Sequence, residues 1–413
     1  MQYYYVSKYF YSFFTELNKI INSFFILFNN IFKKVEEIYN VILLSLKEKK
    51  YSNGKGLYDG NIGISLFLIQ YLEYNAENID EVEAIIGDLI TEFMSSFDSY
   101  SFCSGLSGGL YLFEILKEKN LLEIETNDII EQLDKYLSNN LESELENGHY
   151  DFMHGALGIG LFYLKIGQIE KVQKIVNYLS ETAIYDDKSK GYKWNSNVDY
   201  SGEIAVNISL SHGMSSIVIF LSKVIEKKIA VNMAFKLLRG AVNFLLSQEL
   251  DYKQYGSYFP YRCIEEKSKS RLSWCYGDLG VAIGLFKASF VLNDSSLRRE
   301  ALFVLEESTK RNMLTEDNII EGGVCHGSAG LAMIYNRMFL ETKNEIFLDA
   351  SKYWLEQTLR FSKFDNGLAG YLTNYNKEWH QDLSLLTGIS GIGVVFLSYL
   401  KGDEQYWDEM FLM

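Results

Sequence analysis

Two kinds of apolar pattern alternate along this chain. One is a stripe: Val35, Ile38, Ile42 and Leu46 recur at helical spacing with polar residues between them, and 129–137 and 297–305 repeat the arrangement. The other is apolar nearly all round, as in Ile64-Ser65-Leu66-Phe67-Leu68-Ile69 and Val394-Val395-Phe396-Leu397. A striped helix covers a core from outside, whereas one that is apolar all round is buried on most sides. No stretch sustains the period-two alternation, bounded by hairpin turns, that strands require. Asp294 or Ser295 offers an N-cap just before 297–305.

Each all-apolar helix is preceded by a glycine turn. The turns begin at Gly60, Gly105, Gly155, Gly213, Gly277, Gly327 and Gly388, and six of the seven read Gly-x-x-Gly. In the fourth, Ser216 stands where the second glycine is expected, which should shift that turn and His212 with it. The 45 to 64 residues between first glycines hold two helices and their loops. The chain therefore reads as all-α, seven repeats of one inner and one outer helix. No strand precedes these glycines and no lysine follows them as in a phosphate-binding loop, so their plain role is close backbone packing.

Two turns carry more than glycine. Cys325 and His326 stand side by side before Gly327, and Cys275 stands two residues before Gly277. Two sulfurs and one imidazole suit Zn²⁺, and three protein ligands leave a fourth tetrahedral position open, as catalytic zinc requires. Cys103 and Cys263 have no histidine beside them and read as small buried hydrophobes. His212 directly before Gly213, His154 directly before Gly155, and Asp151 four residues before that glycine occupy comparable places in repeats three and four. An open solenoid would keep those repeats away from the cysteines, and a closed ring would bring all of them to one hub, so closure into an α/α toroid is the expected architecture.

Composition changes this picture little. The chain is 48% hydrophobic and 15% aromatic with a single proline, which supports a large helical core. A net charge of −15 without a basic cluster excludes the nucleic-acid binders and suits a basic peptide partner. Four cysteines without a C-x-x-C pair read as reduced thiols of a cytoplasmic protein. The apolar run at 20–32 is short and broken by Asn22, Asn29 and Asn30, so no transmembrane segment is expected, although 1–30 could lie against a membrane surface. The expected organisation is a helical extension over 1–31 and one domain over 32–413, with the irregular segment 251–270 around Pro260 as an inserted lobe or loop.

Through Ser-Trp-Cys-Tyr-Gly at 273–277, Cys-His-Gly at 325–327, Ser-His-Gly at 211–213 and the seven glycine repeats, residues 32–413 resemble the lanthionine synthetase C-like family of lanthipeptide cyclases. The resemblance implies an α/α toroid with zinc on Cys275, Cys325 and His326, His212 and Asp151 at the acid/base positions, and Arg271 as an active-site arginine. It implies addition of cysteine thiolates to dehydroalanine or dehydrobutyrine of a dehydrated precursor peptide, forming (methyl)lanthionine rings. With about 30 residues before the first repeat, no dehydratase is fused to the domain. A separate dehydratase and a membrane exporter are then the expected partners beside the leader and core of the precursor, with peripheral membrane association through that complex. Two other functions remain open at this stage: a prenyltransferase-like thiol-alkylating zinc enzyme, whose metal set would include a carboxylate, and a non-catalytic zinc or thiol-binding protein.

Overall fold

The computed structural model describes residues 2–48, 54–76, 78–97, 99–123, 126–196, 205–263, 267–402 and 405–413, with the backbone alone at 2–24 and 126–128. In chain order the first helices are α1 (Gln2–Lys47), α2 (Asn61–Tyr74), α3 (Ile79–Ser95), α4 (Leu106–Glu118), α5 (Thr126–Glu146), α6 (Ala156–Lys165) and α7 (Ile169–Thr182). A hairpin of β1 (Ile184–Asp186) and β2 (Gly191–Lys193) follows, then α8 (Met214–Glu226), α9 (Val231–Leu246), the single turn α10 (Tyr252–Tyr255), α11 (Asp278–Val291) and α12 (Ser295–Ser308). The chain continues through α13 (Ser328–Thr342), α14 (Glu345–Phe361), the hairpin β3 (Thr373–Tyr375) and β4 (Glu378–His380), α15 (Ile389–Lys401), and a closing 3-10 helix, Tyr406–Phe411.

The all-apolar helices α2, α4, α6, α8, α11, α13 and α15 form the inner ring of an α/α toroid, each buried over most of its length. Each packs on the striped helix that follows it, α2 on α3 through α13 on α14. The last inner helix, α15, has no following helix and packs instead on α1, which also meets α14. The apolar stripe of α1 thus closes the ring from the other end of the chain, while its Phe32, Glu36 and Tyr39 also meet α2. Ile31, Val35, Ile38 and Ile42 are fully buried there, Tyr39 stacks on Tyr71 at 3.7 Å, and Lys34 Nζ donates to the Ala369 carbonyl at 3.0 Å. Because α1 runs unbroken through 31/32, Leu27 belongs to the same core. The side chains at 1–24, on which a membrane-facing extension would depend, lie outside the described residues.

Backbone hydrogen bonds between turns show the closure directly. Tyr58 N–H donates to the Cys103 carbonyl (2.8 Å) and Cys103 N–H to that of Met153 (2.9 Å). Leu210 N–H donates to Cys275 (3.1 Å), Cys275 to Cys325 (3.3 Å), Cys325 to Leu386 (2.9 Å), and Leu386 back to Tyr58 (2.9 Å). Every inner helix starts at this ring of turns, so all of them run the same way and aim their N-terminal, partially positive ends at one mouth.

The turns repeat one device. None of the seven glycine caps has a side-chain partner; instead, in six of the turns, the first helical N–H donates to a carbonyl seven residues back, as Asn61 to Gly54, Leu106 to Ser99, Ala156 to His149 and Met214 to Asn207. An orphan donor is thereby satisfied by backbone. The second glycine lies under the incoming strand of chain: a Cβ on Gly108, Gly330 or Gly391 would fall 1.9 Å from a carbonyl oxygen. In the fourth turn Ser216 is accommodated, with its Oγ donating to the Gly213 carbonyl at 2.7 Å. Gly213 keeps φ −142° and ψ −156°, close to −140° and −159° at Gly105, so the expected shift of His212 does not occur.

The 3-10 helix at the C-terminus fills the ring beneath the turns, with Trp407, Met410 and Phe411 buried. Phe411 stacks on Tyr58 at 4.9 Å; Tyr58 Oη donates to the Met410 carbonyl (2.5 Å) and Trp274 Nε1 to that of Phe411 (2.9 Å). Arg337 grips Asp408 through Nε at 2.8 Å. Segment 251–270, described apart from 264–266, lies as a loop on the start of α11: the Asp278 carboxylate accepts from Tyr258 N (3.0 Å) and Phe259 N (2.8 Å). Arg311 donates to that carboxylate at 2.8 Å, to Asp317 at 2.9 Å and to the Ser270 carbonyl at 2.6 Å.

Candidate metal centre and its acid–base neighbours

The residue just before each turn glycine faces the mouth: Asp59, Ser104, His154, His212, Tyr276, His326 and Thr387. The residue before that belongs to the hydrogen-bonded ring and is mostly buried; Cys103, Cys275 and Cys325 all occupy this position. One register therefore selects thiols and the next selects mouth-facing groups.

Turns five and six, joined through Cys275 N–H, bring Cys275, Cys325 and His326 together, with their ligand atoms all within 4.8 Å of one another. The contact between the thiols favours loss of one proton from the pair: Cys275 is lowered to about 5, first by the hydrogen bond from Cys325, whose own thiol is raised by the same contact and by burial. Seven parallel helix ends also favour negative sulfur here, each by about 0.3–1 kcal/mol at most, within its first turn. His326 is held from behind. Its Nε2 lies 2.9 Å from Glu321 Oε1, a buried oxygen with no other partner among the described residues, which leaves Nδ1 as the ring's remaining ligand atom. The other Glu321 oxygen accepts from Asn374 N, at the hairpin β3–β4. Two soft sulfurs, an imidazole and a carboxylate bracing that imidazole fit zinc.

Turns three and four supply the facing group. His212 Nδ1 and Asp151 Oδ2 are 2.5 Å apart, both nearly buried, and Asp151 Oδ1 accepts from His154 N at 2.6 Å. Burial works against a charged His212, but the Asp151 carboxylate outweighs it and Cys275 adds to it, so the His212 pKa is raised. His154 keeps an exposed side, but the protein around its ring takes it partly out of water and lowers its pKa; the ring stacks on that of His212 at 5.8 Å. Arg271 is half-buried at the rim, where its charge acts on Cys275, Cys325 and His326.

All six expected site residues thus converge on the mouth. Cys103 and Cys263, read as inert, have thiols pushed up to about 12 by burial. His149 lies 3.6 Å from Glu144, and His380 sits exposed on β4; neither reaches the centre. Sequence reasoning passed over Glu321, Tyr276 and Tyr261. The last two stack at 4.4 Å as a wall of the mouth, and His212 lies 6.2 Å from Tyr276. Glu321 stands seven residues before Ser328, the place from which six of the seven loops return a carbonyl to their helix, and that register could have drawn attention to it.

Comparison with known proteins bears out the toroid. A solved structure titled nisin cyclase superposes with a TM-score of 0.73 at 19% identity, covering 91% of this chain and 96% of that one. A cellobiose 2-epimerase from Bacillus thermoamylovorans reaches a TM-score of 0.40 (11% identity, 74% of this chain and 92% of that one), and a sugar epimerase from a ruminal bacterium 0.39 (10%, 91% and 99%). At those scores the epimerases bear on neither fold nor site. The family model described as lanthionine synthetase C-like protein matches residues 51–412, from before the first glycine turn to the 3-10 helix. The chain belongs to the lanthionine synthetase C-like family.

Proposed function

We propose that this protein is a zinc-dependent lanthipeptide cyclase. The observation that carries the reading is the meeting, across one mouth, of the Cys275, Cys325, His326 donor set with the hydrogen-bonded His212–Asp151 pair. Zinc held by the donor set would keep a substrate cysteine as thiolate at neutral pH, below its free pKa of about 8.5. The sulfur adds to the β-carbon of dehydroalanine or dehydrobutyrine in the same peptide. A C–S bond forms, the C=C π bond opens toward the carbonyl, and the proton the thiol lost is balanced by one delivered to the α-carbon.

The chain's own groups handle that proton. Asp151 holds His212 Nδ1, so Nε2 is the nitrogen free to give up a proton, and the raised pKa keeps it charged further into the neutral range. Arg271 adds positive charge where the carbonyl oxygen gains negative charge. Tyr276 and Tyr261 shield the mouth on one side. The same reading carries a dehydrated precursor, leader and core, as substrate, a separate dehydratase and a membrane exporter as partners, and a cytoplasmic location with peripheral membrane association through them. No described helix is long and apolar enough to cross a membrane.

The test is incubation of the zinc-loaded protein with a dehydrated, cysteine-containing precursor. Cyclisation leaves mass unchanged, so the readout is protection of thiols from alkylation. Rings should form with the wild type and about 10²–10⁴-fold more slowly with His212→Ala, which should still hold zinc. An unchanged thiol titre with the wild type across several dehydrated precursors would overturn the reading.

A further inference from the structure

We propose that Asp151, His154 and His212 form a second metal site, weaker than the thiol site, which takes a divalent ion preferring nitrogen and oxygen, such as Zn²⁺. The three residues offer one carboxylate oxygen and two imidazole nitrogens, all within 4.8 Å of one another, and none belongs to the Cys275, Cys325, His326 set. Two histidines and one carboxylate leave several coordination positions open, an arrangement that borderline divalent metals accept.

The geometry needs little adjustment. A tetrahedral ion about 2.1 Å from each donor wants them roughly 3.4 Å apart. Asp151 and His212 are already adjacent at 2.5 Å and held by buried surroundings, whereas His154 is exposed, so its ring can swing to complete the set. The near-parallel stacking of the two imidazoles, 17° between planes, starts them side by side at the mouth. Capture would be weaker than at the thiols for two reasons: only one donor is anionic, and the His212–Asp151 hydrogen bond has to be given up. Its consequence, which rests on the cyclase reading, is that a His212 bound through Nδ1 stays neutral, keeping its Nε2 proton instead of delivering one as an imidazolium does, so excess zinc would silence the enzyme whose activity the first zinc supports.

The binding test does not depend on that reading. The chain has five histidines, and of the two remote from the mouth, His149 and His380, each can be removed as a control. Zinc-loaded wild-type protein is titrated with further Zn²⁺ against a chromophoric chelator. A second equivalent should bind at least 10²-fold more weakly than the first. It should weaken 10-fold or more in His154→Ala and in Asp151→Asn, survive in a Cys275→Ser/Cys325→Ser variant that has lost the tight equivalent, and be unmoved by His149→Ala or His380→Ala. A single equivalent across the micromolar range, or a second one that persists in both His154→Ala and Asp151→Asn, would overturn the proposal. In cyclisation assays normalised to each variant at one equivalent, excess zinc should inhibit the wild type and spare His154→Ala. Equal inhibition of the two, with the binding results as expected, would leave the site standing and remove its link to proton transfer.

Discussion

At the scale of single residues, the centre depends on groups one step behind those that touch metal or substrate. Glu321 braces the His326 ring, so Glu321→Gln should weaken zinc retention by about 10–100-fold, measured by chelator competition, while Cys275 and Cys325 stay in place. Asp151 is what lifts His212 against burial. If protonated His212 delivers the proton, ring formation falls as pH rises through its raised pKa. In Asp151→Asn the larger opposition to burial is removed and Cys275 alone remains to counter it, so the alkaline fall should move to lower pH in a pH–rate profile. An unmoved fall would take proton transfer away from His212. The proposed ligand set was legible because Cys275 and Cys325 are rare types placed identically, two residues before glycine turns, with His326 next to one of them. Tyr261 was not, because it lies in a stretch without periodicity and reaches the mouth only through the hold of Asp278 on 258–259.

At the scale of elements, the turns matter more than the helices they start. Gly277 caps α11 with φ +92°, unlike the extended glycines of the other six turns, and a Cβ there would meet the Arg271 carbonyl at 2.5 Å. Gly277→Ala should therefore destabilise the protein by about 1–3 kcal/mol and lower its Tm, two residues from Cys275 of the proposed metal centre. Gly87, mid-way along the outer helix α3, has open space around it, and Gly87→Ala should stabilise by about 0.5–1 kcal/mol. Helix number and the inner and outer roles could be read from the apolar patterns, since burial on all sides and burial on one side leave different spacings. The hairpins β1–β2 and β3–β4 could not, because three-residue strands are too short to show alternation.

At the scale of the whole molecule, the ring is held at its axis and at its seam. Trp407 is buried and donates to Ser398 Oγ at 2.7 Å, so Trp407→Ala should cost about 3–5 kcal/mol by opening a cavity under the turns, read as a lower denaturation midpoint. Nothing in the tail's sequence announced this role, since a plug is defined by what surrounds it. The seam has a different consequence. Because α1 is the outer partner of α15, the first helix made must wait for one of the last. At ribosomal rates the interval is roughly tens of seconds, during which the part of α1 that α15 will cover stays open. The Cys275 turn can bond to Cys325 earlier, but the Cys325 turn is not locked into the circuit of backbone bonds until Leu386 has left the ribosome. Assembly of the centre thus waits for the seventh turn, and the nascent chain presents a partly uncovered apolar stripe for chaperones to cover until the circle shuts.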